Sequence, residues 1–291
     1  MRILLTGAGG QVGHELAATL APLGELQALG HAALDLANPD ALVAACRAHR
    51  PGLIVNAAAY TAVDKAESEP GAAQDVNGRA PGILAGEAKR LGAVLVHYST
   101  DYVFDGSKRT PYLEDDATGP LNAYGRSKLA GEQAIAASGC RHLVFRTSWV
   151  YGPRGRNFLA TMLALAASRD ELRIVDDQRG APTTSLFLAQ ATARALAAIP
   201  RKGVDSGVYH LSAAGETTWA GFARAIFERA GARPGFRAPR VMPISSSEFP
   251  TPARRPRYSV LGTRKFARTF GFSPPSWEEQ LDACFARMPA A

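Results

Sequence analysis

Thr6-Gly7-Ala8-Gly9-Gly10-Gln11-Val12-Gly13 follows directly on the apolar run Arg2 to Thr6 and leads into Gln11 to Leu20. The run before it reads as a strand and the stretch after it as an amphipathic helix. Glycines at 7, 10 and 13 permit a tight turn and a close backbone approach, and the unpaired N–H groups of a helix start then face a pyrophosphate. A glycine triplet alone is weak evidence. Between a strand and a helix it reads as a dinucleotide loop, with Gly7, Gly10, Gln11, Val12 and Gly13 as the candidate contacts.

Outward from that loop, strand and helix alternate. Leu26 to Leu29, Leu53 to Ala57, Val94 to Ser99 and His142 to Arg146 read as strands, and Pro39 to His49, Gly71 to Leu91 and Tyr124 to Ala137 as helices. Asn38-Pro39 supplies an N-cap and a first-turn proline, while Gly92 and Gly139 stand where C-terminal caps belong. The alternation predicts an α/β fold, a doubly wound, Rossmann-like parallel sheet covered on both faces. After Tyr151 the pattern changes to Gly/Pro-rich connections, two helices (Asn157 to Ala167 and Trp219 to Ala230) and a proline-dense stretch from Pro234 to Pro256. We therefore expect a nucleotide-binding domain over 1–150 and, over 151–291, a smaller mixed α/β substrate-binding lobe, with some segments returning to the first domain.

The bulk numbers allow this. The chain has 291 residues, 46% apolar and 20% charged, enough for one large or two modest domains sharing a cleft. The N-terminal apolar run is too short for a signal sequence and no stretch is long enough to span a bilayer, so a cytoplasmic protein with no membrane partner is expected. Cys46, Cys140 and Cys284 are scattered, without metal-site spacing, and read as packing residues. The net charge of +7 is diffuse, with local concentrations at Arg233 to Arg240 and Arg254 to Arg268. An anionic small molecule accounts for it as well as nucleic acid does, and no nucleic-acid partner is expected.

The remaining candidates stand after strands, where ligands bind in such sheets. The second strand ends Ala28-Leu29-Gly30-His31, without the acid that grips an adenosine ribose, so either NADPH or NADH is expected to serve. Asp35 and Leu36 are candidates to approach the adenine. The third strand runs into Asn56-Ala57-Ala58-Ala59-Tyr60, where small side chains let the backbone pass close to a cofactor. The fourth ends Ser99-Thr100-Asp101. Tyr124 and Lys128 lie four apart, on one helical face. An ammonium near a phenol favours the phenolate, and moving a tyrosine from about 10 to neutrality takes about 4 kcal/mol. Thr100, Tyr124 and Lys128 are the expected catalytic group, Tyr124 and Lys128 also touching the cofactor.

Together the loop, Asn56-Ala57-Ala58, Ser99-Thr100 and Tyr124-x-x-x-Lys128 resemble the extended short-chain dehydrogenase/reductases. More narrowly, Asn56 to Glu67, Ser99 to Phe104, Arg146 to Tyr151, Gly180 to Thr183 and Tyr209 to Leu211 resemble the dTDP-4-dehydrorhamnose reductases. The resemblance implies reduction of the C4 ketone of a nucleotide sugar by NADPH or NADH, with Tyr124 as proton donor and Thr100, Asp101, Tyr124 and Trp149 at the substrate. It further implies recognition of the nucleotide diphosphate by Asn157, Gln178, Pro182 and Arg255. Some relatives are dimers bridged by Mg²⁺ on glutamates, but the matching position holds Leu186, so a monomer or weak homodimer without the metal is expected. Related dehydratases follow their threonine with Asp-Glu, whereas here it is Asp101-Tyr102, which favours simple ketone reduction. Other nucleotide-sugar reductases, an epimerase, and a non-catalytic NADP-binding subunit of the methionine adenosyltransferase type stay open as alternatives.

Overall fold

The computed structural model describes residues 1–198 and 206–288. β1 (Arg2–Thr6) runs through the glycine loop into α1 (Gln11–Leu20), as the opening stretch requires. β2 (Glu25–Leu29), α2 (Pro39–His49), β3 (Leu53–Asn56), β4 (Val94–Thr100) and β5 (Arg141–Thr147) follow. With Gly207–His210 these strands form one parallel sheet, in the order Gly207–His210, β5, β4, β3, β1, β2. The chain leaves β1 for β2 on one side and then crosses to β3 on the other. The carboxyl ends of β1 and β3 therefore open a crevice at the point of reversal.

Helices cover both faces. On one, Leu16, Leu20, Phe187, Leu188, Phe266 and Phe270 bury Ile3, Leu5 and Phe145. On the other, Leu42, Cys46, Leu84, Ala88 and Ile135 bury Leu4, Ile54 and Leu95. With both faces covered, the central strands are buried at nearly every position, as β3 is throughout. Asn38 caps α2 by accepting from the Ala41 amide at 3.1 Å, and Gly92 and Gly139 take left-handed conformations at φ +66° and +67°.

Two expectations need correction. Gly71 to Leu91 is not one helix: α-helical turns at Pro70–Gln74 give way to a π-helical stretch, Asp75–Arg79, before Ala80–Leu91 resumes. Pro81 has no N–H to offer the carbonyl four residues back, at Asn77. That carbonyl instead meets Gly131, where a Cβ would collide with it. Nor are Asn157 to Ala167 and Trp219 to Ala230 the only helices after Tyr151. Ser185–Ala198 is a helix packed on α1, and Arg264–Phe270 and Trp277–Ala286 are further helices. Three of the seven residues that Ser185–Ala198 buries are alanines, which leave no apolar stripe for a periodicity reading to find.

A second cluster gathers Tyr151, Leu159, Met162, Phe222, Ile226, Trp277 and Leu281 beside the paired strands Glu171–Val175 and Arg240–Ile244. The helix Ala123–Ser138, which carries Tyr124 and Lys128, packs on Ala80–Leu91, on the π-helical stretch and on β4. Asn122 caps it, accepting from the Gly125 amide at 2.7 Å and donating to the Arg254 carbonyl at 2.8 Å. At Gly125 a Cβ would run into the carbonyl oxygen of Tyr102. Gly125→Ala should therefore shift the helix start, cost about 2 kcal/mol against about 1 kcal/mol for Asn122→Ala, and lower turnover more than it lowers dinucleotide affinity. Urea titration of both variants, with steady-state kinetics, checks the order.

Candidate active site

A cleft of about 880 Å³ opens at the crevice between β1 and β3. Gly7, Gly10, Gln11 and Val12 line one wall, with Ala57, Ala58, Ala59 and Tyr60 opposite them. Gly7 sits at φ +74°, and a Cβ there would lie 2.5 Å from the Ala58 nitrogen. Gly13 does not face the cleft; a Cβ on it would strike the Gly7 carbonyl, so its part is to let α1 close on the loop. This cradle, with the N-terminus of α1 at its floor, fits a dinucleotide pyrophosphate. Asp35 and Leu36 line its far end beside His31; Asp35 accepts from the Ala37 amide at 2.9 Å and stands 3.9 Å from His31 Nδ1.

At the near end stand Thr100, Asp101, Tyr124 and Lys128. Thr100 Oγ1 donates to Asp101 Oδ1 at 3.0 Å and accepts from the Tyr102 amide at 3.1 Å. The Thr100 hydroxyl also faces that of Tyr124 and favours its ionised form. Ser148 Oγ donates to Asp101 Oδ2 at 3.1 Å. Burial pushes the Tyr124 phenol up to about 12; the Thr100 contact works against this and the Asp101 charge with it. Sequence reasoning had Lys128 bringing this phenol toward neutrality. The protein's own groups do the reverse, because Lys128 Nζ donates to the Tyr98 carbonyl at 2.6 Å and burial pulls its own pKa down to about 8 against the charge of Glu132. A phenol kept protonated is a proton donor, not a base.

Trp149 closes the cleft on the side of the second cluster. It takes φ +46°, rare for a bulky residue, and stacks on Trp219 with ring centroids 3.5 Å apart and planes within 5°. Gly180 permits this, since a Cβ would lie 2.5 Å from Trp149 Cε2. Trp219 lines the cleft too, and sequence reading missed it because its partner is 70 residues away in the chain. Thr147 was also missed; its buried hydroxyl lines the cleft with no hydrogen-bond partner among the described residues.

The structure does not bring Asn157, Gln178, Pro182 or Arg255 to the cleft wall, and the first two and Arg255 have their polar groups already engaged. Asn157 Nδ2 donates to Gln11 Oε1 at 2.9 Å and its Oδ1 caps the following helix. Gln178 accepts from Trp219 Nε1 at 3.2 Å and donates to Ser246 at 2.9 Å. Pro182 is buried in the turn before Thr183. Arg255 forks onto Asp64 at 3.0 and 2.8 Å, a pairing that holds the Asp64 carboxyl below its ordinary range. These residues brace the wall rather than form it. No cluster of three or more metal-ligating side chains occurs among the described residues.

A crevice at a strand-order reversal, with Thr, Tyr and Lys at its mouth, defines an oxidoreductase of the extended short-chain dehydrogenase/reductase class. Residues 1–289 match the family described as RmlD substrate binding domain, and the chain belongs to that family. A dTDP-4-dehydrorhamnose reductase from Burkholderia thailandensis is 50% identical, over 98% of each chain. Its counterpart in Escherichia coli K12 is 47% identical over 96% of this chain and 95% of its own. The crystal structure of dTDP-4-dehydrorhamnose reductase from Bacillus anthracis, in complex with NADP, matches with a TM-score of 0.91 at 36% identity and covers 99% of both chains.

The site has a pH signature. Burial raises Asp101 from 3.8 to about 6, against hydrogen bonds from Ser259, Thr100 and Ser148. Below pH 4 the carboxyl is protonated folded or unfolded. As pH climbs to 6 only the unfolded chain releases the proton, so stability drops by about 3 kcal/mol and stays lower above that. Asp101→Asn removes the penalty, and its stability relative to the parent should rise by that amount between pH 4 and 7 in denaturant melts; parallel curves would contradict the buried, uncompensated carboxylate.

Proposed function

We propose that this protein reduces the C4 ketone of dTDP-4-dehydro-β-L-rhamnose to dTDP-β-L-rhamnose with NADPH or NADH. The observation that carries the reading is the protonated Tyr124 hydroxyl, beside Thr100, between the glycine cradle and the Trp149–Trp219 stack. The full-length likeness to curated reductases of this substrate supports it. A bound nicotinamide supplies the hydride. Tyr124 then gives its proton to the developing alkoxide oxygen, and Thr100 holds that oxygen in line. Asp101 keeps the phenol protonated until the alkoxide forms. The flat Trp149 face receives the sugar, and Lys128 would hold the cofactor ribose. Asn157, Gln178, Pro182 and Arg255 hold the walls of the diphosphate end. The division near residue 150 separates the dinucleotide half of the cleft from the sugar half. The protein works in the cytoplasm as a monomer or weak dimer.

Tyr124→Phe should retain dinucleotide affinity while kcat falls by two to four orders of magnitude, about the range general acid catalysis supplies. Fluorescence titration and steady-state rates measure both; near-native turnover would sink the assignment. Because Gly30-His31 offers no carboxylate to repel a 2′-phosphate, initial rates with NADPH should equal or exceed those with NADH. A strong preference for NADH would overturn that argument. Dependence on added dinucleotide separates the reductase from an epimerase, which would carry its own.

A further inference from the structure

Asn56 and His97 are buried polar residues outside the proton transfer, yet they join the dinucleotide cradle to Lys128. Asn56 Oδ1 accepts from Thr6 Oγ1 at 2.7 Å and from the Ala58 amide at 3.2 Å. An amide N–H can only donate, so Ala58 decides which end of the Asn56 side chain faces the cradle. Nδ2 is left facing His97 Nδ1 at 3.1 Å. Nδ2 can only donate as well, so His97 Nδ1 accepts and carries no proton. The ring is fully buried, and burial keeps it neutral, its pKa well below the ordinary range. Its single proton is then on Nε2, which lies 3.3 Å from Lys128 Nζ.

An ammonium carries three protons and no lone pair, so it can only donate. Facing an Nε2–H, it sets donor against donor, whereas a neutral amine offers its lone pair. The bond from Nζ to the Tyr98 carbonyl is open to both forms. We propose that His97, held as the Nε2–H tautomer by Thr6, Ala58 and Asn56, is a positioning residue that keeps Lys128 a neutral amine in the protein without dinucleotide. Its role in turnover rests on the reductase reading; the protonation state does not.

The charges around the lysine are consistent with this. On its own helix stand Tyr124 and Glu132, and Glu132 is engaged by Arg146 of β5 at 2.7 Å and by Ser99. On β4 and its exit are His97, Tyr98, Asp101 and Tyr102; burial raises the last three, and of these only Asp101, brought to about 6, is ionised at neutral pH. On the neighbouring helices Glu87 is paired with Arg90 and Arg47, and Asp75 with Arg79. With Lys128 brought down to about 8 by burial, one misdirected or well-directed proton decides its state near neutral pH. The clamp on His97 is the same Ala58 amide that packs on Gly7, so the cradle and the lysine share one rigid chain of contacts.

The test uses the intact, dinucleotide-free protein labelled with ¹⁵N-histidine. Two-bond ¹⁵N–¹H correlation spectra should show His97 with an unprotonated Nδ1 and a protonated Nε2; an Nδ1–H ring would overturn the proposal. Lys128 is read separately, by competitive labelling with acetic anhydride across pH and mass spectrometry of its peptide. Half-reactivity is expected at or below about pH 7, against about 10.4 for a free lysine. In His97→Gln, whose carbonyl can turn to accept from an ammonium, it should move up by about one unit or more. An ordinary value in the parent protein, or no movement in the variant, contradicts the inference. If the variant does not fold, the tautomer and the parent's titration still decide. None of these readouts uses the nucleotide sugar, so failure of the reductase reading would show only in turnover.

Discussion

Gly7 and Ala58 meet backbone to backbone at the point where the strand order reverses, and most of the site follows from that contact. It requires glycine at 7 and small residues after β3, and it sets how closely a pyrophosphate can approach the start of α1. It also places the Ala58 amide within reach of Asn56, whose side chain ties β1 to β3 and reaches on to His97 of β4. Three adjacent strands are thereby keyed to one another beneath the cleft. A parallel sheet dry on both faces can hold such a polar chain because each of these contacts pairs a donor with an acceptor.

The chemistry of the cleft depends on burial acting in opposite senses on neighbouring groups. Desolvation disfavours whichever form is charged, so it raises Tyr124 and Asp101 and lowers Lys128. The result at neutral pH is a protonated phenol beside an ionised Asp101 and a lysine drawn toward its neutral form, within reach of a cradle built for an anion. Glu132 is ion-paired with Arg146 of β5, a pair about 5% exposed on both sides, and its charge works against the lowering of Lys128. The cleft's opposite wall is set by shape instead, with Trp149 strained at φ +46° and held flat by Trp219 and by the absence of a side chain at Gly180.

Much of this was legible in the residues. The loop, α1 and α2 are bounded as periodicity and caps predict, because those signals are local. Thr100, Tyr124 and Lys128 stand together as strand ends and helical spacing imply. The π-helical stretch was not legible, since its cause joins Pro81 to the close packing of Asn77 on Gly131. Nor was the bracing role of Arg255 and Gln178. Residue type made them look like ligand contacts, while their partners Asp64, Ser246 and Trp219 lie 41 or more positions away in sequence. His97 was visible only as a strand residue; its tautomer depends on an amide from another strand.

The central claim is that hydride goes to the sugar's C4 and the phenol's proton to its oxygen. It is tested most directly by turning over dTDP-4-dehydro-L-rhamnose with NADPH deuterated at the transferring position of the nicotinamide, and examining the sugar by NMR. The account predicts dTDP-L-rhamnose with one deuterium, at C4 alone. Deuterium at another carbon, or a product formed without consuming the dinucleotide, would contradict it.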